Sequence, residues 1–263
     1  MLHDPDTDAP IAADARQTPA ALARLRARVT TLNARYRHHG ATAVLEGALR
    51  DSEAGRIAMV SSFGADSAAL LHLVAMVDRS TPVLFIDTRL LFAETLVYQL
   101  ELSERLNLQN VRILRTDTAR LERTDPYGAL RLRDPDACCD LRKTQVLDNA
   151  LTGFDGWITG RKRHQSPSRA RMAFFELEGH SGRIKVNPLA HWGPRDTLTY
   201  MEENRLPRHP LVEQGYPSIG CAPCTSKVVP GEDPRAGRWR GSDKTECGIH
   251  IVNGRAARKG ADK

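Results

Sequence analysis

The sequence predicts an α/β protein with an open, mostly parallel twisted sheet and helices on both of its faces. Three observations lead there. Four short apolar runs, at Ile57–Val60, Val83–Ile86, Val111–Leu114 and Trp157–Thr159, have strand length and small or polar borders. Helical patterns at Ser67–Val77, Phe92–Leu106 and Leu141–Leu151 fall between them, and a strand–helix alternation requires parallel strands with crossovers. The chain has 263 residues, 41% hydrophobic and 27% charged, enough to bury one large core flanked by tails.

The elements follow in order. Residues 1–17, rich in Asp and Ala, read as a disordered tail. Thr18-Pro19-Ala20 is a helix start, with threonine as cap and proline in the first turn. That helix runs to about Tyr36 and a second covers Ala41–Leu49. After the first strand, Ser61–Asp66 is a small-residue loop opening a helix with its apolar face at Leu70, Leu71, Val74 and Val77. Residues 117–137 are polar and read as irregular, which puts Cys138 and Cys139 at the start of the helix at Leu141–Leu151. Gly160 and a basic loop follow the strand at Trp157–Thr159. Phe174–Leu177 and Ile184–Val186 pair as a hairpin through Gly179–Gly182, and Asp196–Asn204 is a short helix. From Pro207 onward, frequent Pro and Gly predict an extended, partly mobile segment.

Composition narrows the function. No apolar run approaches the roughly 20 residues of a membrane span, and residues 1–17 lack the basic-then-apolar pattern of a secretory signal. The expected location is the cytoplasm, where thiols stay reduced. The net charge is +6. Positive residues gather at Arg161–Arg171, Arg235–Arg240 and Arg255–Lys263, which suits an anionic partner. Aromatic residues make up 5% of the chain, little material for a base-stacking platform, so a small polyanion is favoured over nucleic acid.

The five cysteines carry the sharpest signal. Cys138 and Cys139 are adjacent, and Cys221 and Cys224 frame a C-x-x-C turn. Four thiolates suit structural zinc or an iron–sulfur cluster, and the adjacent pair, unusual for zinc, favours a [4Fe–4S] centre. Four unrelated core cysteines are the plainer alternative. Cys247, in Glu246-Cys247-Gly248, is left over as a nucleophile, with Lys244 and His250 near enough to favour its thiolate. An inert thiol in a frayed tail would look the same. In the loop Ser61–Ser67, the residues Ser61, Ser62, Gly64, Asp66 and Ser67 offer backbone N–H groups and a helix N-terminus to an anion, and a plain tight turn would share that composition. It is no Walker A loop, because no Gly-Lys-Ser/Thr follows. Lys143, one helical turn after Cys139, and Gly160, Arg161, Arg169, Arg235 and Arg238 flank these motifs, and guanidinium forks match phosphate and sulfate. His72 and His209 read as structural, and of the tryptophans only Trp239, beside Arg238, borders a site.

Together these residues resemble the adenosine 5′-phosphosulfate reductase family, over roughly Arg56 to Ile251. Ser61–Ser67 is similar to that family's modified PP-loop, Ile86-Asp87-Thr88 with Glu94-Thr95 to its second signature, and Glu246-Cys247-Gly248-Ile249-His250 to its nucleophile motif, which usually carries Leu before His. His164 and Asp136 depart from the pattern. The resemblance implies a PP-loop nucleotide-binding domain over residues 18–230 and a mobile segment over 231–263. Ser61, Ser62, Gly64, Asp66, Ser67, Gly160 and Arg161 would hold the nucleotide, and the backbone of Leu84–Ile86 would meet adenine. Lys143, Arg235, Arg238 and Arg169 would hold the phosphosulfate. Cys138, Cys139, Cys221 and Cys224 would bind a [4Fe–4S] cluster, and Cys247 would accept the sulfonate. The implied reaction is reduction of adenosine 5′-phosphosulfate to sulfite and AMP, with thioredoxin or a glutaredoxin-like dithiol as reductant. The 3′-phosphorylated substrate, an iron–sulfur tRNA sulfur transferase and a non-catalytic metal module are the alternatives. Assembly as a homo-oligomer is left open.

Overall fold

The computed structural model describes residues 18–50, 55–179, 181–241, Lys244 and Ile249. Six strands form one sheet in the order β3-β2-β1-β4-β6-β5. They are β1 (Ile57–Ser61), β2 (Val83–Ile86), β3 (Val111–Leu114), β4 (Gly156–Ile158), β5 (Phe175–Glu178) and β6 (Arg183–Val186). Every pairing is parallel except β5 with β6, the expected hairpin.

Residues alternate strictly between two apolar layers, as the pleat requires. Ile57, Met59, Val83, Phe85 and Ile158 face one core, which α1 (Pro19–Tyr36), α2 (Ala41–Arg50), α3 (Ser67–Val77) and α4 (Ala93–Arg105) help to fill. Ala58, Leu84 and Trp157 face the other, closed by Leu147 and Leu151. Helices on both faces bury both sides of the sheet, and near-continuous hydrophobic strands are the result. At the outer edge, Asn33 of α1 substitutes for a missing strand. Its amide donates to Phe175 O (2.8 Å) and accepts from Phe175 N (3.0 Å), occupying edge groups that would otherwise be open. Thr18 caps α1 through Ala21 N, as its spacing predicts.

The polar stretch 117–137 departs from expectation. It forms three short helices, α5 (Thr118–Thr124), α6 (Leu130–Arg133) and α7 (Pro135–Cys139). Asp117 and Asp134 cap α5 and α7 with their carboxylates, so turn-type residues served here as helix caps. Cys138 and Cys139 therefore end α7. A π-helical turn, Asp140–Thr144, links it to α8 (Gln145–Ala150). Such wide turns are frequent at functional sites. Helix α9 (Asp196–Glu203) follows β6.

Residues from Pro207 to Gly241 have little regular structure but pack closely. His209 is fully buried, with Leu211, Ile219 and Trp239 nearly so. His209 Nδ1 accepts from Leu211 N (3.2 Å), so Nε2 carries the proton and donates to Thr95 Oγ1 (3.0 Å). The neutral ring is satisfied at both nitrogens. Burial lowers its pKa from 6.5 to about 4, against the weaker pull of Glu94. Below 6.5 the unfolded chain takes up a proton that the folded chain refuses, so stability falls as pH drops from 6.5 towards 4. The loss from this residue is about 3 kcal/mol. Denaturant midpoints measured across that window are expected to show it, with a flatter profile for His209→Gln.

Candidate active site

The sheet order reverses at β1. Strands β2 and β3 lie on one side of it, and β4, β6 and β5 on the other. Beyond the carboxyl ends of two such strands, diverging loops leave a crevice where ligands bind. A cavity of about 250 Å³ opens there.

The Ser61–Ser67 loop forms one side of the cavity, with Ser61, Ser62, Gly64, Asp66 and Ser67 all lining it. Its backbone turns at Phe63, which has φ 46°, whereas Gly64 keeps negative φ. Packing of the Phe63 ring edge-on against Phe85, with centroids 5.2 Å apart, holds that left-handed conformation. Ser61 Oγ accepts from Phe63 N (3.2 Å) and ties the loop to the strand end. Asp66 gives α3 no side-chain cap. Its carboxylate instead meets Lys162 Nζ at 2.8 Å.

Gly160, Arg161 and Arg169 line the opposite wall. The Arg161 guanidinium is engaged by Glu176 (2.6 Å) and Asn187 (3.0 Å), and its Nε donates to Thr159 Oγ1. Arg169 bonds Gln165 Oε1. Arg235 and Arg238 complete the rim, together with Lys143. Arg238 donates to Ile219 O (3.0 Å) and lies over the Trp239 ring, 4.5 Å from its centroid. Gly220 leaves the space for that guanidinium, into which any side chain would run.

Both cysteine pairs meet beside this rim. Cys138, Cys139 and Cys221 are buried and Cys224 is half-buried, all as free thiols. Burial pushes the Cys138 thiol up, and the charges of Cys221 and Cys224 add to it, with Arg142 opposing. Burial likewise raises Cys224, with Cys221 adding and Lys143, Arg238 and Lys244 opposing. Cys138 thus feels the other pair across the site, and the cations Arg142, Lys143, Arg238 and Lys244 surround the two thiols. Among the described residues, no three His, Cys, Asp or Glu side chains converge on a single ion. Two thiols at the end of α7 and two in the C-x-x-C turn make a four-sulfur donor set of the kind that holds zinc or an iron–sulfur cluster.

Several contacts here are not readable from the sequence. Thr88 Oγ1 lies 3.2 Å from Cys221 Sγ, and Thr88 O accepts from Arg142 (3.0 Å). Arg142 in turn pairs with Asp125 at 2.8 Å. Lys162, buried in the basic run, reaches Asp66 across 96 residues. Cys247 lies outside the described residues, while its neighbours Lys244 and Ile249 are within them.

The phosphoadenosine phosphosulfate reductase domain matches residues 56–227. The chain belongs to the phosphoadenosine phosphosulfate reductase family. A protein of Chelativorans sp. (strain BNC1) named adenosine 5′-phosphosulfate reductase is 50% identical over 221 residues, 84% of this chain and 89% of that one. One of the same name from Mesorhizobium japonicum is 47% identical, covering 86% and 88%. The crystal structure of phosphoadenylyl-sulfate reductase from Candida auris, in its phosphate complex, superposes with a TM-score of 0.67 at 24% identity, over 77% of this chain and 97% of that one. That likeness establishes the fold. The phosphoadenosine phosphosulfate reductase match includes the Ser61–Ser67 loop and both cysteine pairs. It ends before Arg235, Arg238 and Cys247. No helix among the described residues is long and apolar enough to cross a membrane.

Proposed function

We propose that this chain reduces adenosine 5′-phosphosulfate to sulfite and AMP in sulfate assimilation, with Cys247 as nucleophile. The observation that carries the reading is the meeting of two features. The cavity at the sheet's switch point is lined by the Ser61–Ser67 loop and by Lys143, Arg235 and Arg238, and the charges of Lys143 and Arg238 also reach Cys224. The names of the Chelativorans and Mesorhizobium relatives support the substrate.

The Ser61–Ser67 loop and Gly160 hold the nucleotide, and the backbone leading to Ile86, which lines the cavity, meets adenine. Arg161, committed to Glu176, shapes that wall. Lys143, Arg235 and Arg238 offset the repulsion between a thiolate and a polyanion by charge already in place. The Cys247 thiolate attacks the sulfate sulfur, a sulfur–sulfur bond forms, and the bridging oxygen leaves with AMP. A dithiol such as thioredoxin then attacks Cys247 Sγ, and sulfite departs with the bonding pair. The dithiol's second thiol closes its disulfide and frees Cys247, so the two electrons come from the dithiol. This cycle of free thiols suits the reducing cytoplasm. Cys138, Cys139, Cys221 and Cys224 would hold a [4Fe–4S] cluster, which when bound supplies fixed charge beside Lys143.

Mixing the protein with adenosine 5′-phosphosulfate, without reductant, tests the reading. Intact mass is expected to rise by one SO₃ group, mapped to Cys247 by peptide analysis. An unmodified chain, or an adduct on another residue, would sink it.

A further inference from the structure

We infer that Lys244 is a positioning residue for Cys247, and that its ion pair with Asp136 roots the C-terminal arm on the cysteine site. The inference rests on the function proposed above. Lys244 Nζ lies 2.5 Å from Asp136 Oδ1 and 3.5 Å from Pro135 O, and it also hydrogen-bonds Cys139. The lysine side chain is 5% exposed and that of Asp136 40%, so the ammonium end of the pair is the buried one. An ammonium at that depth needs its carboxylate, because an unpaired buried charge is heavily penalised. Asp136 is itself fixed. It sits in the first turn of α7, and Asp134 Oδ1 accepts from the backbone N–H groups of Asp136 and Ala137. The same short helix ends in Cys138 and Cys139. Ile249 gives the arm a second anchor, packed against the cluster that includes Trp157 and lining the cavity.

Cys247 is three residues from Lys244 and two from Ile249. Three residues span at most about 11 Å, so the root at Lys244 limits where the thiol can go. Helix α7 thus carries two of the quartet's thiols together with the carboxylate that holds the root. A group ordering those thiols would also order the start of the arm.

The test compares iron-loaded wild type with Asp136→Asn, Asp136→Glu and Lys244→Met. Three quantities are read: the single-turnover rate of Cys247 S-sulfonation, the affinity for AMP, and hydrogen exchange of the C-terminal peptide. Asp136→Asn and Lys244→Met are expected to slow S-sulfonation by about tenfold to a hundredfold, the cost of a misplaced reacting group. AMP affinity and iron content stay at the wild-type level, exchange of the arm quickens, and Asp136→Glu recovers most of the rate. An unchanged rate with unchanged exchange overturns the inference. So does a rate that falls only in step with lost iron. If wild type forms no adduct, the proposed function fails instead, and the exchange comparison still decides whether Asp136 holds the arm.

Discussion

Replacing Cys247 by serine is expected to abolish sulfite release, with turnover falling by at least about a thousandfold. Two independent chemical losses combine. A serine hydroxyl stays protonated at neutral pH and is a far weaker nucleophile than a thiolate, which nearby cations such as Lys244 favour at a cysteine. Even a slow transfer to serine would end in a sulfate ester. A dithiol releases sulfite by attacking sulfur in a sulfur–sulfur bond, and the ester has none. AMP binding is expected to be unchanged, since the Ser61–Ser67 loop and the Gly160 wall belong to the sheet domain. Coupled sulfite release and equilibrium AMP binding, measured on the same preparation, check both halves. Turnover retained by the serine variant would remove Cys247 from the mechanism.

Asp125→Ala is expected to lower stability by about 3–5 kcal/mol, a melting shift on the order of 10 °C. The Asp125 carboxylate and the Arg142 guanidinium are 1% and 5% exposed. Burial alone would raise the Asp125 pKa, but hydrogen bonds and charge from Arg142, with the Leu130 N–H, hold it below the usual carboxylate range. Removing the carboxylate leaves a guanidinium buried next to Cys138 with Thr88 O as its remaining anchor. Asp125→Asn should cost less, because its amide oxygen can still accept. Glu232→Gln, which breaks the exposed pair with Arg240, is the control and should leave the midpoint where it was. Equal midpoints for wild type and Asp125→Ala would show that the buried pair contributes nothing.

The strands were legible because a buried parallel strand is a short apolar run with clear borders, and Val83–Ile86 and Val111–Leu114 match the observed elements end to end. The polar stretch before the cysteines was not, because Asp117 and Asp134 are as much at home in a loop as at a helix cap. The candidate site divides in the same way. The cysteines, the Ser61–Ser67 loop and Arg235 with Arg238 announce themselves through residue type and spacing. In the run Arg161-Lys162-Arg163 the sequence shows three equivalent charges. The structure sends the first to Glu176, the second to Asp66 and the third to Met172 O.

What the sequence determined by itself was the alternation of strand and helix, the sharp turn after the first strand, and a division of five sulfurs into two pairs and one. These are local properties, set by side-chain period and backbone freedom within a few residues. What only the tertiary structure decided was partnership: Thr88 with Cys221 across 133 residues, Lys162 with Asp66 across 96, Lys244 with Asp136 across 108. A charged side chain looks alike in sequence whether it ends in water or beside a carboxylate. The choice is made by which groups the packed sheet deprives of water, because a charge taken out of solvent persists only where a counter-charge or hydrogen bond replaces the lost hydration.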